Sequence, residues 1–197
     1  GTLGKTGAGA GEEQGCQDEI DVYFSTFAKS MANIGAFVAA DKDIIDYLKY
    51  NLRSQMFAKA LPMIQTIGSL KRLELLRKSS ELKDKLWENV NALQGGLKAR
   101  GFNIGDTNTC VTPVYLEGSI PEAMVMVNDL RENYNIFLSI VVYPVIPKGI
   151  ILLRMIPTAS HTIDDINETL AAFEAIREKL TNGTYKALAE ANVENVE

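Results

Sequence analysis

The stretch Phe24-Ser25-Thr26-Phe27-Ala28-Lys29-Ser30 and the run Ile34-Gly35-Ala36-Phe37-Val38-Ala39-Ala40 place one lysine between two short apolar segments. Their β-branched, aromatic and small apolar side chains predict strands at residues 22–27 and 35–40. Lys29 is therefore expected at a turn between two buried strands. Partial burial there would disfavour the ammonium form and leave a nucleophilic amine. The alternative is a lysine at a loop tip whose amine reaches water.

The composition is ordinary for a soluble protein that buries a core. The 197 residues could form one large domain or two small ones, and the net charge is −5. Lysine and arginine are scattered, so nothing indicates binding to nucleic acid. The apolar runs at 136–146 and 150–156 are too short and too interrupted to span a membrane.

Cysteine usage and the N-terminal residues exclude two further kinds of site. Cys16 and Cys110 lie far apart without metal-ligand spacing. We therefore expect no metal site, and free thiols in a reducing cytoplasm. The segment Gly4-Lys5-Thr6 has no glycine five positions before Gly4, so it does not complete the phosphate-binding pattern of nucleotide-binding loops.

Beyond the second strand, apolar residues recur at helical spacing between capping residues, which predicts five helices. They cover residues 41–48, 61–78, 80–100, 119–134 and 162–182. Ser119 with Glu122 should cap the fourth of these helices, and Thr162 to Asp165 the fifth. The apolar faces of these helices are expected to pack on the core. Two such faces consist of Ile64, Ile67, Leu70 and Leu73, and of Leu82, Leu86, Val90, Leu93 and Leu97.

The second half of the chain also contains three predicted strands, at residues 110–116, 136–142 and 150–156. Pro113 should confine the first of them to an edge or a bulge, because proline lacks the N–H that a central strand needs. Strand, helix, strand, loop, strand and helix follow one another in this half. The fold class is therefore α/β, and the predicted domains are residues 1–77 and residues 78–197.

Two other residues are candidates for chemistry. Arg154 lies in an apolar run, where a guanidinium is costly unless it meets an anion. That anion could be a ligand or a structural carboxylate at the strand end. His161 is the only histidine, which excludes a histidine cluster within the chain. Its position just before the helix at residue 162 favours a structural or capping role.

The segment from Thr26 to Ser30 resembles the lysine motif of the α-oxoamine synthases, which are pyridoxal-phosphate enzymes of fold type I. The loop at residues 144–149 resembles the proline-rich loop of that family, and residues 152–154 with 158–162 resemble its Leu-Arg and Ala-Ala-His-Thr motifs. Gly1-Thr2-Leu3-Gly4 resembles the segment after its Asp-x-x-His motif. The resemblance spans nearly the whole chain. It implies the C-terminal half of such an enzyme: the end of the mixed sheet of the large domain, followed by the small α/β domain.

The resemblance also implies roles for three residues. Lys29 would carry pyridoxal 5'-phosphate covalently, Thr26 would help to hold its phosphate, and Arg154 would bind the carboxylate of the amino-acid substrate. The implied reaction condenses an amino acid with an acyl-CoA and releases CO2 and CoA, in a cytoplasmic homodimer without a membrane-spanning segment.

Among family members, serine palmitoyltransferase, glycine C-acetyltransferase and 8-amino-7-oxononanoate synthase share these motifs. Lys29-Ser30 and Ile34-Gly35 slightly favour the first. A non-catalytic partner subunit is the alternative of another class, although such subunits typically lack the lysine. A plain α/β interaction module is the third possibility. The segment Phe57-Ala58-Lys59-Ala60 departs from the family, which has serine or threonine there.

Overall fold

The computed structural model describes residues 1–194. It divides into two compact units, Gly1–Lys83 and Asp84–Glu197, which are described separately. The division falls shortly after the predicted domain boundary at residue 77. The assignment of the first unit to a cofactor-binding domain stays a prediction. No helix of the described residues is long and apolar enough to cross a membrane.

The first unit contains one two-stranded sheet and several helices. Strands β1 (Val22–Thr26) and β2 (Ala36–Ala40) are antiparallel, with Thr26 opposite Ala36. Rings of the two strands stack across the hairpin, since the centroids of Tyr23 and Phe37 lie 6.1 Å apart. The helices of this unit are α1 (Ala10–Gln14), a 3-10 turn (Gln17–Glu19), α2 (Lys42–Asn51), α3 (Arg53–Met56) and α4 (Met63–Lys78).

The first unit has no apolar core of its own. Every buried apolar side chain of residues 1–191 lies at Leu86 or beyond. The expectation of two buried strands is therefore wrong for this structure: Phe24 is 62% exposed, because no described element of the unit covers the faces of its two-stranded sheet. The apolar face of α4 is also exposed, which corrects the expected packing of Ile64, Ile67, Leu70 and Leu73.

The second unit is built on a three-stranded antiparallel sheet. Its strands are β3 (Thr112–Glu117), β4 (Ser139–Val141) and β5 (Ile150–Met155), in the order β3-β5-β4. The predicted edge position of Pro113 is confirmed, because β3 is an edge strand of this sheet. The helices are α5 (Glu81–Ala99), which begins in the first unit, α6 (Ile120–Tyr134), α7 (Ile163–Thr181) and α8 (Thr184–Glu194).

Strand β4 is shorter than the predicted 136–142. Asn135 adopts a left-handed conformation that ends α6, and the Ile136 amide donates to the Leu130 carbonyl. Residue 136 is thus used to terminate the helix. The strand itself begins at Ser139. Apolar content predicted the strand, but the chain geometry of the helix end decided where it begins.

One face of the sheet packs on helices and the other does not. Along β5, Ile151, Leu153 and Met155 are buried, whereas Arg154 is exposed, as expected from the alternation of side chains along a strand. The core includes Leu97 of α5, Met126 and Leu130 of α6, and Ile166, Leu170, Phe173 and Ile176 of α7. Most of the predicted apolar face of α5 is therefore confirmed, while Leu82 is exposed.

Both predicted capping motifs of this unit are confirmed. Ser119 and Glu122 form a capping box at the start of α6, and Thr162 and Asp165 form another at the start of α7. The hydrogen bonds from Ser119 lower the pKa of Glu122, and those from Thr162 lower the pKa of Asp165. Each cap satisfies amides that the first helical turn would leave unpaired. The N-terminal ends of α6 and α7 are fixed in this way.

A carboxylate at the centre of the second unit links its last three helices. Asp129 of α6 accepts hydrogen bonds from Lys179 Nζ (2.8 Å), Tyr185 Oη (2.6 Å) and Asn133 Nδ2 (2.7 Å). Desolvation alone raises the pKa of Asp129, but these hydrogen bonds outweigh it and lower that pKa overall. The buried ring and the same contact raise the pKa of Tyr185. This cluster holds α7 and α8 against α6.

We expect Asp129→Ala to lower the free energy of unfolding by about 2 to 4 kcal/mol, because it leaves Tyr185 and Lys179 without their shared acceptor. Urea unfolding of the full-length protein measures this. Glu132→Ala is the matched control: Glu132 is on the same helix, 63% exposed, and pairs only with Arg131 at 3.7 Å. It should change stability by less than about 0.5 kcal/mol. Equal effects of the two substitutions would contradict the role of the Asp129 cluster.

The pH dependence of the stabilisation by the Asp129 cluster follows from the shifted pKa values of Asp129 and Lys179. The pKa of Asp129 is lowered, so its stabilisation is complete above the unfolded value of about 3.9 and is lost as pH falls through the folded pKa. The pKa of Lys179 is raised, first by the Asp129 hydrogen bond. Its stabilisation is lost only at alkaline pH, above about 10.4. The effect of Asp129→Ala should therefore be largest between these limits and shrink in acid.

Candidate active site

The turn that carries Lys29 is closed by its own backbone. The Phe27 amide donates to the Gly35 carbonyl at 2.8 Å, the Asn33 amide donates to Phe27 at 2.8 Å, and the Ala32 amide donates to Lys29 at 2.9 Å. Gly35 has φ 106° and Ala32 has φ 43°, so both occupy the left-handed half of φ space. Glycine adopts such values freely, and alanine does so only at a cost. The turn is thus a defined structure, not an open loop.

Asn33 fastens this turn to helix α4. Its Nδ2 donates to the Gln65 carbonyl at 2.8 Å and to Ser69 Oγ at 2.6 Å, and its Oδ1 accepts from the Ile34 amide at 2.9 Å. Asn33 is not among the site residues predicted from the sequence. Its residue type could have indicated it, because asparagine in a turn commonly forms hydrogen bonds to nearby backbone. The position of Lys29 is therefore fixed relative to a long helix.

Lys29 and Thr26 lie at the same end of β1, as predicted. Both side chains are exposed, so the expectation of a partly desolvated lysine is wrong for this structure. The reason is the absence of any described cover over the β1–β2 hairpin. Within the described side chains of residues 1–191, neither Lys29 Nζ nor Thr26 Oγ1 has a hydrogen-bond or ion-pair partner. An amine and a hydroxyl are thus both available to a ligand at one turn.

The glycine-rich segment at the start of the chain lies beside this turn. A Cβ on Gly1 would come within 2.9 Å of Ser30 Cβ, and Tyr23 Oη of β1 donates to the Ala8 carbonyl at 2.7 Å. The lysine turn and the glycine-rich segment are thus neighbours within the first unit. Ligand groups bound by Lys29 would lie close to both.

The amides of the glycine-rich segment bind carboxylates of the same segment. Glu12 accepts from the amides of Thr6 (3.0 Å) and Ala8 (3.1 Å), and Glu13 accepts from the Gly4 amide at 2.8 Å. Desolvation raises the pKa of Glu12, but these hydrogen bonds lower it overall. Backbone N–H groups that a nucleotide-binding loop would turn toward phosphate are thus engaged here.

Arg154 belongs to the second unit and stands on the central strand of its sheet. It lies opposite Pro113 on β3 and Ser139 on β4, on the face that the helices leave open. Its Nε donates to Ser139 Oγ at 2.9 Å. Among residues 1–191, whose side chains the structure describes, no aspartate or glutamate forms an ion pair with Arg154. The guanidinium therefore meets no structural carboxylate there, and its outer nitrogens are available to an anion.

His161 contacts the backbone of the loop that precedes α7, and its structural or capping role stays a prediction. Its Nδ1 accepts from the Thr158 amide at 3.0 Å, and its carbonyl accepts from Asn89 Nδ2 at 2.8 Å. Asn89 is fully buried on α5 and also donates to the Thr158 carbonyl at 3.0 Å. Asn89 thus holds the loop before α7. Periodicity could not identify it, because a single buried amide on an apolar helix face leaves no pattern.

Comparison with known proteins places the chain in a family. The model of aminotransferase class I and II matches residues 4–173. The chain is 73% identical over 188 residues to cysteate-C-fatty acyltransferase of Capnocytophaga ochracea, and the aligned region covers 95% of this chain and 45% of that protein. It is 35% identical to serine palmitoyltransferase of Sphingobacterium spiritivorum, over 86% of this chain and 42% of that protein. It is also 35% identical to 8-amino-7-oxononanoate synthase of Petrotoga mobilis, over 91% of this chain and 45% of that protein.

The fold agrees with the sequence comparison. A solved structure of SPT with PLP superposes with a TM-score of 0.82 at 29% identity, covering 91% of this chain and 45% of that structure. The chain belongs to the aminotransferase class I and II family, and its α/β fold is that of fold-type I transferases. It spans about half the length of the relatives and structures that it matches.

Proposed function

We propose that the protein to which this chain belongs is a pyridoxal-phosphate-dependent acyltransferase. It joins an amino acid to the acyl group of an acyl-CoA, with release of CO2 and CoA. The observation that carries the proposal is the unpartnered amine of Lys29, fixed by a closed turn that is bonded to α4. Relatives named cysteate-C-fatty acyltransferase, serine palmitoyltransferase and 8-amino-7-oxononanoate synthase support this reaction class.

The residues at this turn fit pyridoxal phosphate. The cofactor has an aldehyde, which suits a free amine such as Lys29, and a phosphate, which suits a hydroxyl donor such as Thr26. When bound, the cofactor supplies an electron sink for a carbanion at the amino-acid α-carbon. After substrate binding releases Lys29, its amine would be the group that moves a proton at that carbon. The exposure of Lys29 in this half-length chain leaves it accessible to such a ligand.

Arg154 would bind the carboxylate of the amino acid. Its Nε is held by Ser139, and the planar guanidinium can present two parallel N–H groups to the two carboxylate oxygens. Holding the carboxylate in this way would orient the amino-acid substrate.

Cysteate is the amino acid that the comparisons favour. The relative named for cysteate is 73% identical, whereas the one named for serine is 35% identical. Serine, which the motifs slightly favoured, becomes the second candidate. Cysteate carries a sulfonate where serine has a hydroxyl, so a site built for cysteate must satisfy an additional negative charge. A homodimer in the cytoplasm is part of the proposal and is supported by the family alone.

Release of CoA from palmitoyl-CoA by the purified full-length protein tests this function. We expect kcat/KM for L-cysteate to exceed that for L-serine by about 10- to 100-fold, because charge-assisted contacts to the sulfonate contribute about 1.5 to 3 kcal/mol. Glycine and alanine are the matched controls without a polar side chain. A preference for serine would favour the second candidate. No CoA release with any amino acid would contradict the proposed acyltransferase activity and leave the non-catalytic subunit.

A further inference from the structure

Ser139 and Arg154 contact each other between two neighbouring strands of the sheet of the second unit. They are directly opposite each other in the register of β4 and β5. Arg154 Nε donates to Ser139 Oγ at 2.9 Å, and the same hydroxyl donates at 3.5 Å to the carbonyl of Arg154. Ser139 Oγ thus contacts both the backbone carbonyl and the guanidinium of Arg154. Pro113, the other neighbour of Arg154 in the sheet, offers no polar side-chain atom.

This contact has a direct consequence for the guanidinium. An exposed arginine side chain has many rotamers, and ordering it on ligand binding costs free energy. A hydrogen bond to Nε fixes the plane of the guanidinium and leaves the terminal nitrogens unengaged. Those nitrogens form the end-on pair of donors that a carboxylate can accept in parallel. Ser139 therefore orients the group before the ligand arrives.

We propose that Ser139 is a positioning residue for Arg154, and that it sets the affinity for the carboxylate of the amino-acid substrate. The inference rests on the proposed function of Arg154. A contribution to stability is a poor explanation for the pair, because Arg154 is exposed and surface hydrogen bonds of this kind contribute little. The backbone of Ser139 is held by the β4–β5 ladder in any case. Pairing of β4 with β5 therefore does not depend on the Ser139 hydroxyl.

The matched pair Ser139→Thr and Ser139→Val tests this in the full-length protein loaded with pyridoxal phosphate. The two side chains have the same shape and suit a strand, but only threonine keeps the hydroxyl. Isothermal titration with L-cysteate and L-serine, without acyl-CoA, gives the dissociation constants. We expect the valine variant to bind about 3- to 10-fold more weakly than the threonine variant, with kcat at saturation changed by less than about twofold. Their thermal unfolding midpoints should agree.

The same pair is then compared in the Arg154→Ala background. There the threonine and valine variants should bind equally, because the hydroxyl acts through the guanidinium. Equal affinity of the two variants with Arg154 present would overturn the positioning role, provided that Arg154→Ala itself weakens binding. A difference that persists without Arg154 would overturn the route through the guanidinium. Unchanged binding by Arg154→Ala alone would instead overturn the proposed substrate contact of Arg154.

Discussion

The full-length protein carrying Lys29→Ala is expected to hold no covalently attached pyridoxal phosphate and to lose turnover by about 10⁴-fold or more. In the proposed function the amine is needed twice, as the group that attaches the cofactor and as the group that moves a proton at the substrate α-carbon. The fold should survive, because Lys29 is exposed and has no partner among the side chains of residues 1–191. Absorbance of the bound cofactor after dialysis, CoA release and the thermal unfolding midpoint measure the three effects.

Lys49→Ala is the matched control for this substitution. Lys49 is also an exposed lysine of the first unit, and it pairs with Asp46 on the surface of α2 at 3.2 Å. Exposed pairs of this kind contribute less than about 1 kcal/mol. Cofactor content and turnover should therefore match those of the unmodified protein. A Lys29→Ala variant that kept its covalent cofactor would contradict the assignment of Lys29.

Arg154→Ala is expected to reduce kcat/KM for the amino acid by roughly 30- to 1,000-fold, because a charge-assisted, bidentate contact contributes about 2 to 4 kcal/mol. Covalent attachment of the cofactor should be unaffected. Arg154→Lys should restore only part of the loss, since an ammonium keeps the charge without the fork geometry. Titration with cysteate, serine, glycine and alanine measures the dissociation constants directly.

A structural role for Arg154 would give a different result. It would lower the thermal unfolding midpoint of Arg154→Ala and leave the dissociation constants of the folded protein unchanged for all four amino acids. The described residues offer no carboxylate to Arg154, so we expect the midpoint to change little. Unchanged affinities would contradict the proposed contact with the substrate carboxylate.

Features that depend on neighbouring residues could be predicted from the sequence. The hairpin around Lys29 followed from strand-forming residues, and the two capping boxes followed from Ser119 and Thr162 with their acidic partners. The edge position of β3 followed from Pro113. In each case, a short-range steric or hydrogen-bonding preference determines the local structure.

Features that depend on contacts between residues far apart in the chain could not be predicted from the sequence. The exposure of the hairpin and of α4 depends on which elements cover them, and a strand pattern cannot report that. Asn33 holds the lysine turn through Gln65 and Ser69, far along the chain, and Ser139 meets Arg154 only because β4 pairs with β5. The sequence could indicate Lys29 and Arg154 as candidate site residues, but not the contacts of Asn33 and Ser139.

Borohydride reduction of the full-length protein, followed by proteolysis and mass spectrometry of the peptides, tests the central claim most directly. Reduction makes a cofactor attached to a lysine amine permanent and so marks that lysine. We predict a single pyridoxyl-phosphate adduct, on the peptide that contains Lys29. An adduct on any other lysine, or none on a protein that catalyses acyl transfer, would contradict the claim that Lys29 carries the cofactor.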